Sequence, residues 1–283
     1  MKVLTQFLIR SNLFVSLCAA SLVWQTKILL ADNEITGFDF TLVFLSTLFI
    51  YNFHRLVKIR QQKKESNTET ESDTLNLSMS AVSFLLLIPC FWFLNVWHWS
   101  VFIVGGIIAL TYSFPVFSAG GRRYSLRTTP YAKLFVVVIV WSLMTVLLPL
   151  SMQDIKRPEV LHVLIERFCF LLAITLPFDM RDMELDREQQ VTTIPLKYGW
   201  TGSLALSFFF LALFSILVIW GFFFTFHNLI QTILLVASAA ITFAVIKKSR
   251  PDSQQIHYAI VLEGTSLMQS VLIWISYLGL SFL

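Results

Sequence analysis

Residues 177–190 read PFDMRDMELDREQQ, at the end of an apolar run that starts near 159. Asp179, Asp182, Glu184, Asp186 and Glu188 stand close enough to repel one another. Asp179, Asp182 and Asp186 fall at i, i+3 and i+7, which is one face of a helix. A helix C-terminus adds partial negative charge of its own. Such a face needs a positive partner. Arg181 and Arg187 are interleaved with the acids rather than set opposite them. A divalent cation answers the need more simply, because Mg²⁺ binds through one or two carboxylates together with substrate phosphate oxygens. The alternative is a solvated acidic loop that caps a membrane helix.

The chain around this stretch is 283 residues long, 56% hydrophobic and 13% charged, with a mean hydropathy of +0.72. Soluble domains are nearer ~45–50% apolar, so the class is an all-α polytopic membrane protein. A span needs about 20 mostly apolar residues. Nine windows meet that need, at 11–30, 38–56, 77–95, 98–117, 131–150, 159–178, 202–224, 228–246 and 257–281. Helices are expected in each, because lipid leaves no partner for unpaired backbone groups. The region Trp97–Trp99 reads as an interfacial turn between the third and fourth. Lys2 and Arg10 precede an apolar run that persists to Leu30 without a cleavage site, so it reads as a span rather than a leader. VSLC (Val15–Cys18) is a poor lipoprotein box, since Leu17 is large. Cys18, Cys90 and Cys169 all sit in apolar runs and read as small buried hydrophobes.

Of the 21 Lys and Arg, all but Lys27, Lys156, Arg157 and Arg167 lie at the N-terminus or in the connections after the second, fourth, sixth and eighth windows. That bias puts the N-terminus in the cytoplasm and the C-terminus outside, in the plasma (inner) membrane if the source is bacterial. The net charge of +4 reflects this sorting and gives no reason to expect nucleic acid. Residues 61–76, QQKKESNTETESDTLN, have the composition of a disordered cytoplasmic loop. The rest reads as one domain over 1–283.

DMRDMELDREQQVTTIPLKYG (Asp179–Gly199) resembles the second aspartate-rich motif of the UbiA superfamily of intramembrane prenyltransferases. The resemblance rests on Asp179, Asp182, Asp186, Thr193, Pro195 and Gly199, in order and at the family's spacing. TYSFPVFSAGGRRYSLRTTPYAKLFVVVIVW (Thr111–Trp141) is similar to the family's Tyr-x-x-Pro, basic loop and lysine at the start of helix five. The resemblance implies a nine-helix bundle with a lipid-lined central cavity open to the cytoplasmic side. It also implies two aspartate-rich motifs that hold Mg²⁺ and the diphosphate of an isoprenoid donor. Loss of diphosphate then gives an allylic cation that a lipophilic acceptor captures. On this reading Asp182 and Asp186 are catalytic, and Asp179, Asp182 and Asp186 hold metal.

The first motif breaks the family pattern. YNFHRLVKIR (Tyr51–Arg60) keeps Asn52 but puts Phe53, Leu56 and Arg60 where acids belong. Either Arg55, Lys58 and His54 bind diphosphate directly, through donors suited to phosphate, or they are a positive-inside flank and catalysis is lost. Asn52 and Arg55 share one helix face; His54 and Lys58 share an adjoining one. The further diphosphate-binding candidates are Tyr112, Arg123 and Lys133, against interfacial or topological readings of each. Glu263, an ionisable group inside the ninth window, is a candidate for the acceptor pocket. Glu166 and Arg167 are expected to snorkel or to pair structurally. Two functions stay open: a prenyltransferase, and a non-catalytic relative that binds an isoprenoid lipid or a partner.

Overall fold

The computed structural model describes residues 2–30, 37–62, 71–114, 117–119, 122–251 and 253–280. Side chains at 2, 58–62, 71–73, 113, 117–119, 122–124 and 279–280 are outside that description. The described elements are α1 (Lys2–Arg10), α2 (Leu13–Leu29), α3 (Gly37–Gln62), α4 (Glu71–Phe91) and α5 (Val96–Ser113). A small antiparallel hairpin follows, β1 (Phe117–Ala119) with β2 (Arg122–Tyr124). Then come α6 (Ala132–Ser142), α7 (Pro158–Arg181), α8 (Met183–Glu188), α9 (Ile194–Phe223), α10 (Leu229–Lys247) and α11 (Gly264–Leu280). Wide π-turns extend α6 through Leu143–Leu147 and lead into α11 through His257–Leu262.

Six helices are long and apolar enough to cross a membrane, and the bent pair α1–α2 makes a seventh. The windows at 98–117 and 131–150 hold two shorter apolar helices, Val96–Tyr112 and Ala132–Leu147. Of the expected loop 61–76, residues 61–62 end α3 and 71–76 begin α4, while 63–70 lie outside the described residues.

The helices form a closed ring. α3 packs on α2, α2 on α11, α11 on α10, α10 on α9, α9 on α7, α7 on α6 and α6 on α5, with α5 returning to α3. α4 lies against α3. The outer surface is apolar: Leu85, Phe209, Ile216 and Phe223 are all more than half exposed. The inside is polar by comparison. Gln25 Nε2 donates to Gln269 Oε1 at 3.0 Å, and Gln269 Nε2 donates to Ser238 Oγ at 2.9 Å, tying α2, α11 and α10 together. Small and polar residues at helix contacts are what a lipid solvent selects, because apolar burial gains little there.

α1 and α2 meet at 68°. Asn12 takes a left-handed conformation, with φ 59°, at the break. That leaves the last carbonyls of α1 without helical partners. α3 supplies them. Asn52 Nδ2 donates to Ser11 O at 3.0 Å, and Arg55 Nη1 donates to Arg10 O at 2.7 Å. Asn12 Nδ2 in turn donates to Asn52 Oδ1 at 3.1 Å.

Charges inside the ring are compensated locally. Lys27 Nζ lies 2.8 Å from Asp39 Oδ2, with both side chains 5% exposed, and His98 Nε2 lies 3.5 Å from Asp39 Oδ1. Arg167 does not snorkel. It is buried and donates to Leu22 O, Thr26 Oγ1 and Thr145 Oγ1 at 3.2–3.3 Å.

Removing one member of a buried ion pair strands the other and costs about 3–5 kcal/mol. Lys27→Met is therefore expected to lower the unfolding free energy of the purified protein by that order. The double variant Lys27→Met/Asp39→Asn should recover most of it, as followed by thermal unfolding in detergent.

Candidate functional site

The acidic stretch is shaped by a helix break. α7 ends at Arg181, Asp182 forms the corner, and α8 runs on to Glu188. Gln190 ends α8 in a left-handed conformation, with φ 55°. Val191 N donates to Asp186 O at 2.9 Å, which folds the chain back. Tyr131 N donates to Thr192 O at 2.9 Å and so fastens the start of α6 to this loop. Pro195 then lies in the first turn of α9, where a missing N–H is harmless. Gly199, at φ 69°, allows the kink that aligns the rest of α9.

That fastening puts Lys133, in the first turn of α6, among the carboxylates. Its Nζ lies 2.8 and 3.1 Å from the two oxygens of Asp186, 3.1 Å from Asp179 Oδ1 and 4.0 Å from Asp182 Oδ2. The structure thus brings Asp179, Asp182, Asp186 and Lys133 together. The positive charge that the aspartate face requires comes in part from the chain itself.

The three aspartates are not equivalent. Asp186 is 1% exposed and serves Lys133. Asp179 and Asp182 line a cavity of about 250 Å³. Arg181 donates to both oxygens of Asp182, at 2.8 and 3.2 Å, and lies over the Phe178 and Tyr258 rings at 5.5 and 5.3 Å. Tyr51, Tyr112, Thr175 and Glu263 also line this cavity. Glu263 faces it because the π-turn His257–Leu262 rotates the start of α11.

A second cavity, about 240 Å³ and almost wholly apolar, adjoins the first. Tyr51, Tyr112, Val137 and Trp141 line both. Trp141 Nε1 donates to Tyr51 Oη at 3.1 Å, which fixes the shared wall. The face of α3 turned to this cavity is Val43, Ser46, Thr47, Ile50, Tyr51 and His54, an unbroken helical stripe. His54 lies beside Tyr112, with ring centroids 5.5 Å apart.

That register settles where the remaining candidates stand. Asn52 and Arg55 fall on the neighbouring face and cap α1, so the structure does not bring them to the carboxylates. Lys58 is one turn beyond His54 on the cavity face, and its side chain lies outside the described residues. The side chain of Arg123 also lies outside them, although its backbone forms β2. Asp39, the acid of α3 nearest its start, is paired with Lys27 and is far along the helix from His54.

The donor set suits Mg²⁺. Two carboxylates open to a cavity, with phosphate oxygens completing the shell, are its usual arrangement. Asp179, Asp182, Asp186 and Glu263 outnumber Lys133 and Arg181. A diphosphate placed there would add more negative charge, which a divalent cation would offset. α3 offers no second carboxylate pair among its described side chains.

Comparison with known proteins places the fold. The model of the UbiA prenyltransferase family matches residues 72–263. Among solved structures, a UbiA homolog from Archaeoglobus fulgidus bound to GPP and Mg²⁺ is similar with a TM-score of 0.66 at 12% identity, over 95% of this chain and 98% of that one. The same homolog bound to DMAPP and Mg²⁺ gives 0.65 at 13%, over 99% of each chain. A digeranylgeranylglyceryl phosphate synthase gives 0.58 at 13%, over 97% of each. No curated protein sequence matches significantly.

Sequence reasoning missed Tyr51, Trp141 and Arg181 as parts of the cavity wall. The signal for Tyr51 was its place three residues before His54. Arg181 was marked only by its place among the acids, and nothing in the sequence marked Trp141 above its neighbours.

Asp186 and Asp182 should separate on substitution. Asp186→Asn leaves Lys133 buried without its main partner and is expected to destabilise the protein by about 3 kcal/mol. Asp182, with a side chain 30% exposed, is expected to change stability by less than about 1 kcal/mol as Asp182→Asn. Denaturant or thermal melts of the two variants measure the difference.

Proposed function

The chain belongs to the UbiA prenyltransferase family, and from that premise we propose that it transfers an isoprenoid from a prenyl diphosphate to a lipophilic acceptor inside the membrane. The observation that carries the proposal is the pair of adjoining cavities. One is charged and the other apolar, and they meet at Tyr51, Tyr112 and Trp141. A prenyl diphosphate has that same division.

In the proposed reaction the diphosphate lies against Lys133, Arg181 and Tyr112, and the prenyl tail runs into the cavity between α3, α5 and α6. Asp179 and Asp182 would hold Mg²⁺, which when bound would supply charge that favours departure of the diphosphate. Asp186 positions Lys133. The bond between the allylic carbon and the diphosphate oxygen breaks, and its electron pair departs with the diphosphate. Fixed donors aimed at the leaving group favour that step. The faces of Tyr51 and Trp141 stabilise the resulting allylic cation, and the apolar walls keep water from it. The acceptor's nucleophilic atom bonds to the cation and gives up a proton. Glu263, across the same cavity, is the group proposed to orient the acceptor and take that proton.

The same proposal includes the topology. Nine spans, a cytoplasmic N-terminus, an outside C-terminus and a single domain accord with the Lys and Arg distribution. The aspartates and Lys133 then face the cytoplasm, where a soluble diphosphate is released.

One observation favours a second reading, a relative that binds an isoprenoid without turnover. α3 has lost the acids of the first motif, and His54 stands on its cavity face.

Pyrophosphate release from geranyl and dimethylallyl diphosphate, with and without Mg²⁺, decides between them. The transferase reading expects Mg²⁺-dependent release that falls by about a hundredfold or more in Asp182→Ala. Release unaffected by that change would sink it. Mg²⁺-dependent binding without release, in the presence of membrane lipid extract, favours the second reading.

A further inference from the structure

At the other end of α7 lies a second cluster of ionisable groups. His162 and Glu166 are four residues apart on one helix face. The span from His162 to Asp179 is about 25 Å at ~1.5 Å rise per residue, so the cluster is remote from the aspartates. His227 joins it from the turn between α9 and α10. Its Nε2 lies 2.9 and 3.1 Å from the two oxygens of Glu166, while His162 Nε2 lies 3.0 Å from Glu166 Oε1. One ligating atom from each of the three residues falls within 4.8 Å of the other two; His162 Nε2 also lies 3.1 Å from Leu217 O, which a bound cation would displace it from. The side chains of His227, Glu166 and His162 are 0, 3 and 12% exposed.

The fold is built to bring these three together. Phe226 N and His227 N both donate to Gly221 O, at 2.8 and 3.3 Å, and Thr225 takes a left-handed φ of 62°. That tight turn aims His227 back at α7. Gly221 lies under both rings: a Cβ there would come within 2.7 Å of His227 and 2.8 Å of His162. Only glycine lets the two imidazoles converge. Arg167, next to Glu166 in sequence, points away to Leu22, Thr26 and Thr145. No arginine or lysine therefore pairs with the Glu166 carboxylate among the described residues.

We propose that His162, Glu166 and His227 form a binding site for one transition-metal dication of the Zn²⁺ type. Two imidazoles and a carboxylate are a donor set that Zn²⁺ takes, with a water in the fourth position. Mg²⁺ prefers oxygen ligands, so the two ends of α7 divide their cations by chemistry. Metal–ligand bonds of about 2.0–2.2 Å require only small rotations of side chains already in contact. His162, the most exposed of the three, marks the way in. His227 Nδ1 is buried without a hydrogen-bond partner. A ligating imidazole is usually held through its other nitrogen, so this site binds more weakly than a fully supported one and yields to chelators. Its role is to fasten the α9–α10 turn to α7.

The test uses the untagged full-length protein in detergent, stripped with a chelator and then titrated with Zn²⁺ and with Co²⁺. One saturable Zn²⁺ per chain is expected, with a tetrahedral Co²⁺ absorption spectrum and a higher melting temperature. Losing even an outer partner of a ligand weakens metal binding by about 10–100-fold, so Glu166→Gln and His227→Gln should each weaken Zn²⁺ by about a hundredfold or more. Asp182→Asn should leave it unchanged. If wild type shows no saturable Zn²⁺ and no tetrahedral Co²⁺ spectrum, the three residues are a hydrogen-bonded fastening and the proposal is overturned. The same follows if Zn²⁺ affinity survives Glu166→Gln. The Co²⁺ spectrum of the wild type decides the matter even where a variant fails to fold.

Discussion

Lys133 reaching between Asp186 and Asp179 is the contact on which the site depends. It joins α6 to the break between α7 and α8, and it does so in a place poor in water. The ammonium offsets part of a carboxylate cluster that would otherwise push itself apart. It also sorts the aspartates by task. Asp186 is committed to the lysine, and Asp179 and Asp182 are left facing the cavity. Tyr131 and Thr192, joined through their backbones one step earlier, set the register that makes this contact reachable.

The same rule acts throughout the ring. In a lipid solvent no charge can be left to bulk water, so each buried one has a partner close by. Asp39 has Lys27 and His98, Glu166 has two histidines, and Arg167 has a carbonyl and two hydroxyls. Polar side chains bind the helices to one another, while phenylalanines and aliphatics cover the outside. The cavity beside the aspartates is a local exception to close packing, lined by aromatic and acidic side chains of α3, α6 and α7 and by Glu263.

Much of this was legible in the sequence. Apolar run length marked the long helices, though not α1 or α8, and the spacing of Asp179, Asp182 and Asp186 marked the acidic face. The break in the first motif was also readable, as a change of sign from acids to His54, Arg55 and Lys58. What those residues do was not. The helix face shared by Asn52 and Arg55 suggests the site, yet they cap the end of α1, because the sequence gives no hint that α1 bends sharply away from α2 at Ser11 and Asn12. Lys133 was read as a diphosphate ligand from its alignment with the family. Its embrace by three carboxylates depends on the fold-back at Gln190, which only the three-dimensional path reveals. His162, Glu166 and His227 escaped notice for the same reason: His227 is 61 residues from Glu166, and only a turn at Gly221 unites them.

The proposed site would hold the diphosphate at Lys133, Asp179 and Asp182 and send the prenyl tail past Tyr51 and Trp141. A structure of the protein with Mg²⁺ and a non-cleavable prenyl thiodiphosphate tests it most directly. The account predicts a single Mg²⁺ between Asp179, Asp182 and the phosphates, with the tail among α3, α5 and α6. Diphosphate density away from the aspartates, or a tail lying on the outer lipid-facing surface, would contradict it.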